Sequence, residues 1–346
     1  MAWLSKALAH LALSRSDAAL IKASGGQARS VRGMTLDPRL QYLEARARRR
    51  AVDWAVVSVE TLRARTEALS EMFGGPAVPE VRAEKLFITG RSHSTPARLY
   101  LPTVRDNKAA MLVYFHSGGG VVGSLESCHR LCALIAKAAG APVLSVQYRL
   151  APEHRFPIGL DDAQSAFAWA VANAARYGAP AGKAAVGGDS MGGNFAAVIA
   201  QEGRRARPPA PMLQLLIYPG LDLVSDTASM HDFADAFPLT AETMQFFTRH
   251  YLPEGADPSA PRLSPGRAQD LSGLAPALIY TAGFDMLLDQ GEAYAERLAE
   301  AGVKVKRERF DALPHGFVAF SSASPAAQAA LGRIATETAA ALKGNF

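Results

Sequence analysis

Two cysteines in 346 residues, Cys128 and Cys132, cannot staple a fold. One helical turn apart, they read as reduced thiols of a cytoplasmic protein. His129 stands between them, but no second ligand pair lies nearby, so no metal site is expected. No apolar run reaches the ~20 residues that a membrane-spanning helix needs. Met1 to Leu13 is apolar, yet Lys6 and His10 interrupt it and no small-residue cleavage site follows, so a secretory signal is not expected. This stretch reads instead as a helix packed on the protein itself. Fixed-period repeats and low-complexity tracts are also missing, which excludes solenoids and disordered linkers.

What is present is enough for a large core. Hydrophobic residues make up 49% of the chain and charged residues 20%. Such a length suits one large domain with an added lobe, or two domains. The 37 basic against 32 acidic residues give a net charge of +5. The main basic clusters are Arg46, Arg48, Arg49 and Arg50, then Arg204, Arg205 and Arg207. Both fall in helical patterns. The first has no aromatic residues between its arginines on which bases could stack, and both read as solvated helix faces rather than nucleic-acid contacts.

The first third of the chain is helical in pattern, with helices expected over Leu40 to Arg50 and Val52 to Phe73. Strands are then expected at Met111 to Phe115, Pro142 to Tyr148, Ala184 to Gly188, Met212 to Tyr218, Ala277 to Ala282 and Val303 to Phe310. Helices are expected at Leu125 to Ala139, Leu160 to Tyr177, from Ser190, at Gln290 to Ala301 and at Ala326 to Leu342. This alternation implies βαβ units and a mostly parallel, buried sheet, an α/β fold. Asp222 to Pro261 breaks the rhythm. It is longer than a crossover needs and carries Phe233, Phe237, Phe246 and Phe247, and it reads as a lid that joins the N-terminal helices over the sheet.

The sharpest local signal is Gly188-Asp189-Ser190-Met191-Gly192. This G-x-S-x-G follows a strand and opens a helix, the setting of a nucleophile elbow. The turn exposes the Ser190 hydroxyl and sets free helix N–H groups beside it. Upstream, His116-Ser117-Gly118-Gly119-Gly120 follows another strand. A turn that rich in glycine can aim N–H groups at an oxyanion, joined by the N–H of Met191. Each such donor is worth roughly 3 kcal/mol of barrier lowering. A phosphate-cradling loop would continue with Lys-Ser/Thr, but Val121-Val122 follows. A serine nucleophile needs a base, and the base needs an orienting carboxylate. In chain order Ser, acid, His, the base is His315 of Pro314-His315-Gly316-Phe317, after the last strand. The acid is Asp285 or Asp289. Asp285 is favoured because it sits nearer the strand end, while Asp289 stands where it could cap the next helix. This chemistry is shared by esterases, amidases, lactonases and lipases. A binding protein on the same scaffold would be expected to lack a member of the set.

With these motifs in place, the sequence resembles the bacterial hormone-sensitive-lipase-like esterases, often called family IV. Tyr148-Arg149-Leu150-Ala151-Pro152-Glu153-His154, then Phe156-Pro157 and Asp161-Asp162-Ala163, match that family's Y-R-L-A-P-E-H, F-P and D-D-A stretch. Gly188 to Asn194 is similar to its G-D-S-A-G-G-N. The likeness runs from about Leu86 to His315. It implies an α/β-hydrolase fold, a mostly parallel eight-stranded sheet flanked by helices under a helical cap. It also implies hydrolysis of short- to medium-chain acyl esters without cofactor or metal, and it allows a homodimer. Carried over by position, Ser190, Asp285 and His315 match the triad. Gly118, Gly119 and Met191 match the oxyanion donors, and His116 and Glu153 match residues that hold the oxyanion loop. The implied division is 34–85 and 222–262 for the cap and 86–221 and 263–346 for the core. Residues 1–33 stand apart as an extension of unassigned role.

Two departures bear on the site. The family reads H-G-G-G followed by an aromatic, whereas here Ser117 replaces the first glycine and Gly120 the aromatic. Loss of that aromatic predicts a roomier site. Met191 stands where alanine is usual, and its longer side chain must find space. Ser117, Gly120, Phe233, Phe237 and Phe247 are the expected pocket residues.

Overall fold

The computed structural model describes residues 2–50, 52–89, 93–204 and 210–346. Arg205 and Arg207 of the second basic cluster lie outside them. The chain begins with α1 (Ala2–Leu13), α2 (Asp17–Ala23), a short hairpin of β1 (Ser30–Val31) and β2 (Met34–Thr35), then α3 (Pro38–Arg48) and α4 (Val59–Phe73). There follow β3 (Val81–Thr89), β4 (Ser94–Pro102), β5 (Met111–Phe115), α5 (His129–Ala139), β6 (Val143–Val146), α6 (Ile158–Asn173), β7 (Ala184–Asp189), α7 (Met191–Gly203) and β8 (Gln214–Ile217). After α8 (Ala228–Asp232) and α9 (Ala241–Tyr251) come β9 (Ala277–Phe284), α10 (Leu288–Glu300), β10 (Val305–Pro314) and α11 (Pro325–Leu342).

One eight-stranded sheet runs in the order β10-β9-β8-β7-β5-β6-β4-β3. β3 pairs antiparallel with β4 and β4 with β6, and the remaining neighbours are parallel. The fold is that of an α/β hydrolase. Side chains of β5 alternate between two cores: Leu112 and Tyr114 face the side covered by α5 and α11, and Met111, Val113 and Phe115 the side covered by α6 and α7. That two-sided burial is why the parallel strands read as continuous apolar runs. β3 is an edge strand with alternating exposure, so it lacks such a run and escapes an apolar-run reading. The helix expected over Val52 to Phe73 begins only at Val59, where the Ser58 hydroxyl accepts from Thr61 N–H at 3.2 Å. The one expected from Leu125 begins at His129. Among the described residues, no helix is long and apolar enough to cross a membrane.

The N-terminal residues are tied to the rest by charge. Arg29 pairs with Glu44 and with Asp235, and Arg32 pairs with Asp232 at 2.6 Å and Asp289 at 2.8 Å. Arg48 of the first basic cluster also reaches Asp235, at 2.6 Å. That arginine is therefore a clasp between α3 and the α8–α9 connection, not a purely solvated charge.

Phe233 corrects an expectation. It is fully buried and does not line the active-site cavity. Its ring packs on Phe284 with centroids 5.6 Å apart, under the Arg32 guanidinium. Aromatic residues of the insertion thus divide between core and cavity. Phe233→Ala is expected to cost about 3–5 kcal/mol. The measurement is the urea midpoint, together with an ester-selectivity profile that stays as in the wild type; a changed profile with unchanged stability would reverse the assignment.

Candidate active site

The carboxyl ends of four parallel strands converge. β5 runs into the glycine loop, β7 into Ser190, β9 into Asp285 and β10 into His315. Ser190 sits at φ 56° and ψ −115°, a region that side chains avoid. The turn is possible because the chain passes extremely close to itself. A Cβ on Gly188 would lie 2.3 Å from the Gly192 carbonyl carbon, and one on Gly192 would lie 1.9 Å from the Phe115 carbonyl oxygen. The Ser190 N–H donates to the Ile217 carbonyl at 2.9 Å, and its own carbonyl accepts from Asn194 and Gly220.

Ser190, His315 and Asp285 come together in one hydrogen-bonded line. His315 Nε2 lies 3.0 Å from Ser190 Oγ, and His315 Nδ1 lies 2.8 Å from Asp285 Oδ2. The second Asp285 oxygen accepts from Leu287 N–H at 2.8 Å, which fixes the carboxylate plane. All three are buried, at 8%, 6% and 1% exposure, so water competes little for these bonds. A carboxylate on Nδ1 keeps that proton in place and leaves Nε2 free to accept from the serine. Asp289 lies elsewhere: it pairs with Arg32 and accepts from Ser229 N–H at 2.8 Å. It caps the start of α8 rather than its own helix.

A second buried carboxylate, Asp189, stands next to Ser190 and is not in that line. Tyr114 and Tyr218 donate to its two oxygens, each at 3.0 Å. Burial pushes its carboxyl up, and the hydroxyls of Ser117, Tyr114 and Tyr218 oppose that shift. The Tyr218 ring also packs on His315 with centroids 4.8 Å apart, and its oxygen accepts from Val318 N–H at 3.3 Å. Tyr218 follows β8 in a Tyr-Pro-Gly step that sequence reading passed over.

The glycine loop is held from several sides. Gly118, Gly119 and Gly120 all have positive φ, at 117°, 62° and 72°. Among the described residues, no acceptor within the chain takes the N–H groups of Gly118, Gly119 or Met191. His116 is buried; it donates from Nδ1 to the Ser117 carbonyl at 2.7 Å and stacks on Tyr148 at 4.3 Å. Glu153 does not touch the loop. It takes two bonds from Arg63 of α4, at 2.8 and 2.7 Å, and Arg63 in turn donates to the Val121 carbonyl at 2.9 Å and the Ala151 carbonyl at 2.8 Å. The arginine beside it holds the Glu153 carboxyl well below the usual carboxylate range. Arg63 carries no motif of its own and was not legible as a site residue.

Above Ser190 opens a cavity of about 1180 Å³, beyond the ~300–1,000 Å³ usual for ligand pockets. Ser117, Met191, Phe237 and Phe247 line it, so the longer Met191 side chain finds its space there. Gly120 does not line it. The space expected to be vacant at Gly120 is filled: a Cβ there would fall 2.6 Å from the Tyr251 ring. The missing loop aromatic therefore leaves no extra room at this point.

The pattern of the α/β-hydrolase fold family matches residues 112–319. The chain is 42% identical to the carboxylic ester hydrolase LipN of Mycobacterium tuberculosis, over 85% of this chain and 80% of that one. It is 37% identical to an ethyl acetate hydrolase of Pseudomonas putida, over 84% and 94% of the two chains. Among solved structures, a thermostable esterase from Pseudomonas putida superposes with a TM-score of 0.83 at 30% identity, over 91% of this chain and 99% of that one. An ester hydrolase from the metagenome of Lake Arreo does so at 0.81 and 35% identity, over 88% and 98%.

His116 yields a prediction about acid stability. Burial pushes its imidazole down from 6.5 to about 4, the Ser117 carbonyl only partly opposing. The unfolded chain then binds the proton first, so this contribution is complete above pH 6.5 and is lost as pH falls towards 4. The loss is about 3 kcal/mol over that window, at 1.36 kcal/mol per pH unit. Urea titrations should show the stability gap between wild type and His116→Asn narrowing by that amount from pH 7 to pH 4. Parallel curves would show that His116 does not titrate in this way.

Proposed function

The chain belongs to the α/β-hydrolase family, in its hormone-sensitive-lipase-like branch, and is a carboxylic ester hydrolase; we propose that Ser190, His315 and Asp285 carry that reaction on short- to medium-chain acyl esters. The observation that carries the assignment is the bonded line from Asp285 through His315 to the strained Ser190. Ser190 Oγ attacks the acyl carbon as His315 Nε2 takes its proton. Asp285 holds the imidazole tautomer and offsets the positive charge that forms. The developing oxyanion meets the N–H groups of Gly118, Gly119 and Met191, which have no acceptor of their own among the described residues. His315 then protonates the leaving alcohol. Water, deprotonated by the same imidazole, attacks the acyl-enzyme and releases the acid.

The chain-length range rests on two supports. The cavity has room for an acyl chain beyond acetate among apolar residues such as Leu62, Leu69 and Met72. A relative at 37% identity is an ethyl acetate hydrolase. We assign residues 34–80 and 222–262 to a cap over the carboxyl edge of the sheet, a boundary earlier than the expected 85 because β3 begins at Val81 and belongs to the sheet, with the extension of residues 1–33 clasped to it through Arg29 and Arg32.

Four measurements test this reading. Ser190→Ala should abolish hydrolysis of p-nitrophenyl esters and labelling by a fluorophosphonate. A panel from C2 to C12 should peak below C10, whereas rates that rise steadily to C12 would point to a lipase. Asp285→Asn should lower kcat by about 10⁴-fold with the fold retained, as expected when the imidazole loses its tautomer partner. Asp289→Asn should leave kcat within about threefold. The reverse ranking would move the acid role to Asp289.

A further inference from the structure

Three consecutive glycines at positive φ form a loop with no side chains to lock it. Glycine has the most conformational freedom to lose, so such a loop does not stay in one shape unless its surroundings impose it. In this chain two rings of α9 lie directly on it. A Cβ on Gly119 would fall 2.5 Å from the Phe247 ring, and one on Gly120 would fall 2.6 Å from the Tyr251 ring.

The Tyr251 end of α9 is itself anchored. The Tyr251 carbonyl accepts from Phe156 N–H at 3.0 Å. Arg155 donates to the Arg249 carbonyl at 3.1 Å and also to that of Leu252. The Tyr251 ring packs edge-on against Phe156, with centroids 6.0 Å apart. The same segment closes back on the loop, because Ala151 N–H donates to the Gly120 carbonyl at 2.8 Å. Loop, segment 151–156 and α9 thus form a closed circuit, in which the Tyr251 ring meets Gly120.

We propose that Tyr251 is a positioning residue for ester hydrolysis: its ring, seated in the space that a side chain at position 120 would occupy, fixes the backbone that presents the oxyanion donors. Its hydroxyl has no hydrogen-bond partner among the described residues, so the ring makes the contact. The inference rests on Gly118–Gly120 being the oxyanion loop.

Loss of the ring should act on the transition state and not on substrate binding. Donors set about 1 Å out of place cost up to about 10²-fold. Tyr251→Ala is expected to lower kcat for p-nitrophenyl acetate by tenfold to a hundredfold, with KM within about threefold. The affinity of a trifluoromethyl ketone, which forms an oxyanion when Ser190 adds to it, should fall in parallel. Tyr251→Phe should rescue both. Gly120→Ala should carry the strain of its positive φ in either background, and the additional loss in the wild type, where its Cβ meets the ring, should disappear beside Tyr251→Ala. If the alanine variant fails to fold, Tyr251→Leu serves, because it keeps apolar volume without the flat ring face.

A rise in KM with kcat unchanged would make Tyr251 a pocket wall only and overturn the proposal. So would additive effects of the two substitutions. Fluorophosphonate labelling of wild-type Ser190 separates the levels. If the wild type does not label, the ester-hydrolase mechanism itself falls. If it labels and Tyr251→Ala keeps its kcat, only the role of Tyr251 falls.

Discussion

Everything in the site depends on one contact between backbones. Gly192, in the first turn of α7, lies against the carbonyl of Phe115, the last residue of β5, with no room for a Cβ between them. That contact lets the chain turn sharply at Ser190, whose positive φ costs about 1–3 kcal/mol and survives only where neighbours over-determine it. The neighbours do so here. Ile217 accepts the Ser190 N–H, Asn194 and Gly220 donate to its carbonyl, and Asn194 Nδ2 ties the Gly220 and Leu263 carbonyls at 2.8 and 2.9 Å. Phe115 is followed at once by His116 and the glycine loop. The same contact therefore sets where the nucleophile stands and where the oxyanion donors begin.

The two buried carboxylates divide the electrostatic work. In the proposed reaction Asp285 faces an imidazole that becomes positive, and stabilises that charge. Asp189 takes its hydrogen bonds from hydroxyls, so its ionised form leans mainly on neutral donors in a dry place, and burial raises its pKa. Tyr218 couples the two. It donates to Asp189, accepts from Val318 beyond the catalytic histidine, and lays its ring on His315. A carboxylate one residue from the nucleophile thus acts as an anchor for a tyrosine, and through it braces the base.

The parts of the site legible in the sequence are those that a strand end presents. Ser190 and Asp285 each follow an apolar run and His315 follows a charge-rich strand that alternates in exposure, and the geometry of a parallel sheet carries all such ends to one edge. What was not legible depends on pairs far apart in the chain. Glu153 sits in a recognisable stretch, but its partner Arg63 lies in a helix whose pattern gives no sign of the contact. Phe233 and Phe247 look alike as aromatics in one insertion. Only packing sends the first under Phe284 and the second onto Gly119. Gly120 was legible as a departure, but the ring that takes its side chain's place was not. Sequence shows a side chain missing at one position and cannot show which distant ring fills the volume. β3 escaped because an edge strand exposed on one face has no unbroken apolar run.

Holding a glycine loop from outside changes which residues the chemistry constrains. A loop aromatic packs through its own backbone, so loop and support are inherited together. Here the supports come from three separate segments: Arg63 from α4, Phe247 and Tyr251 from α9, and Ala151 from the stretch after β6. Each can be lost without any change in the loop. A substitution in α9 that looks like a change in an outer helix therefore acts on the oxyanion donors, which need to stand in place before the charge develops. The same arrangement explains why α9 is pinned at its Tyr251 end by Arg155 and Phe156. A ring that braces preorganised donors is useful only if it is itself held still, and those bonds tie it to the segment that already grips Gly120.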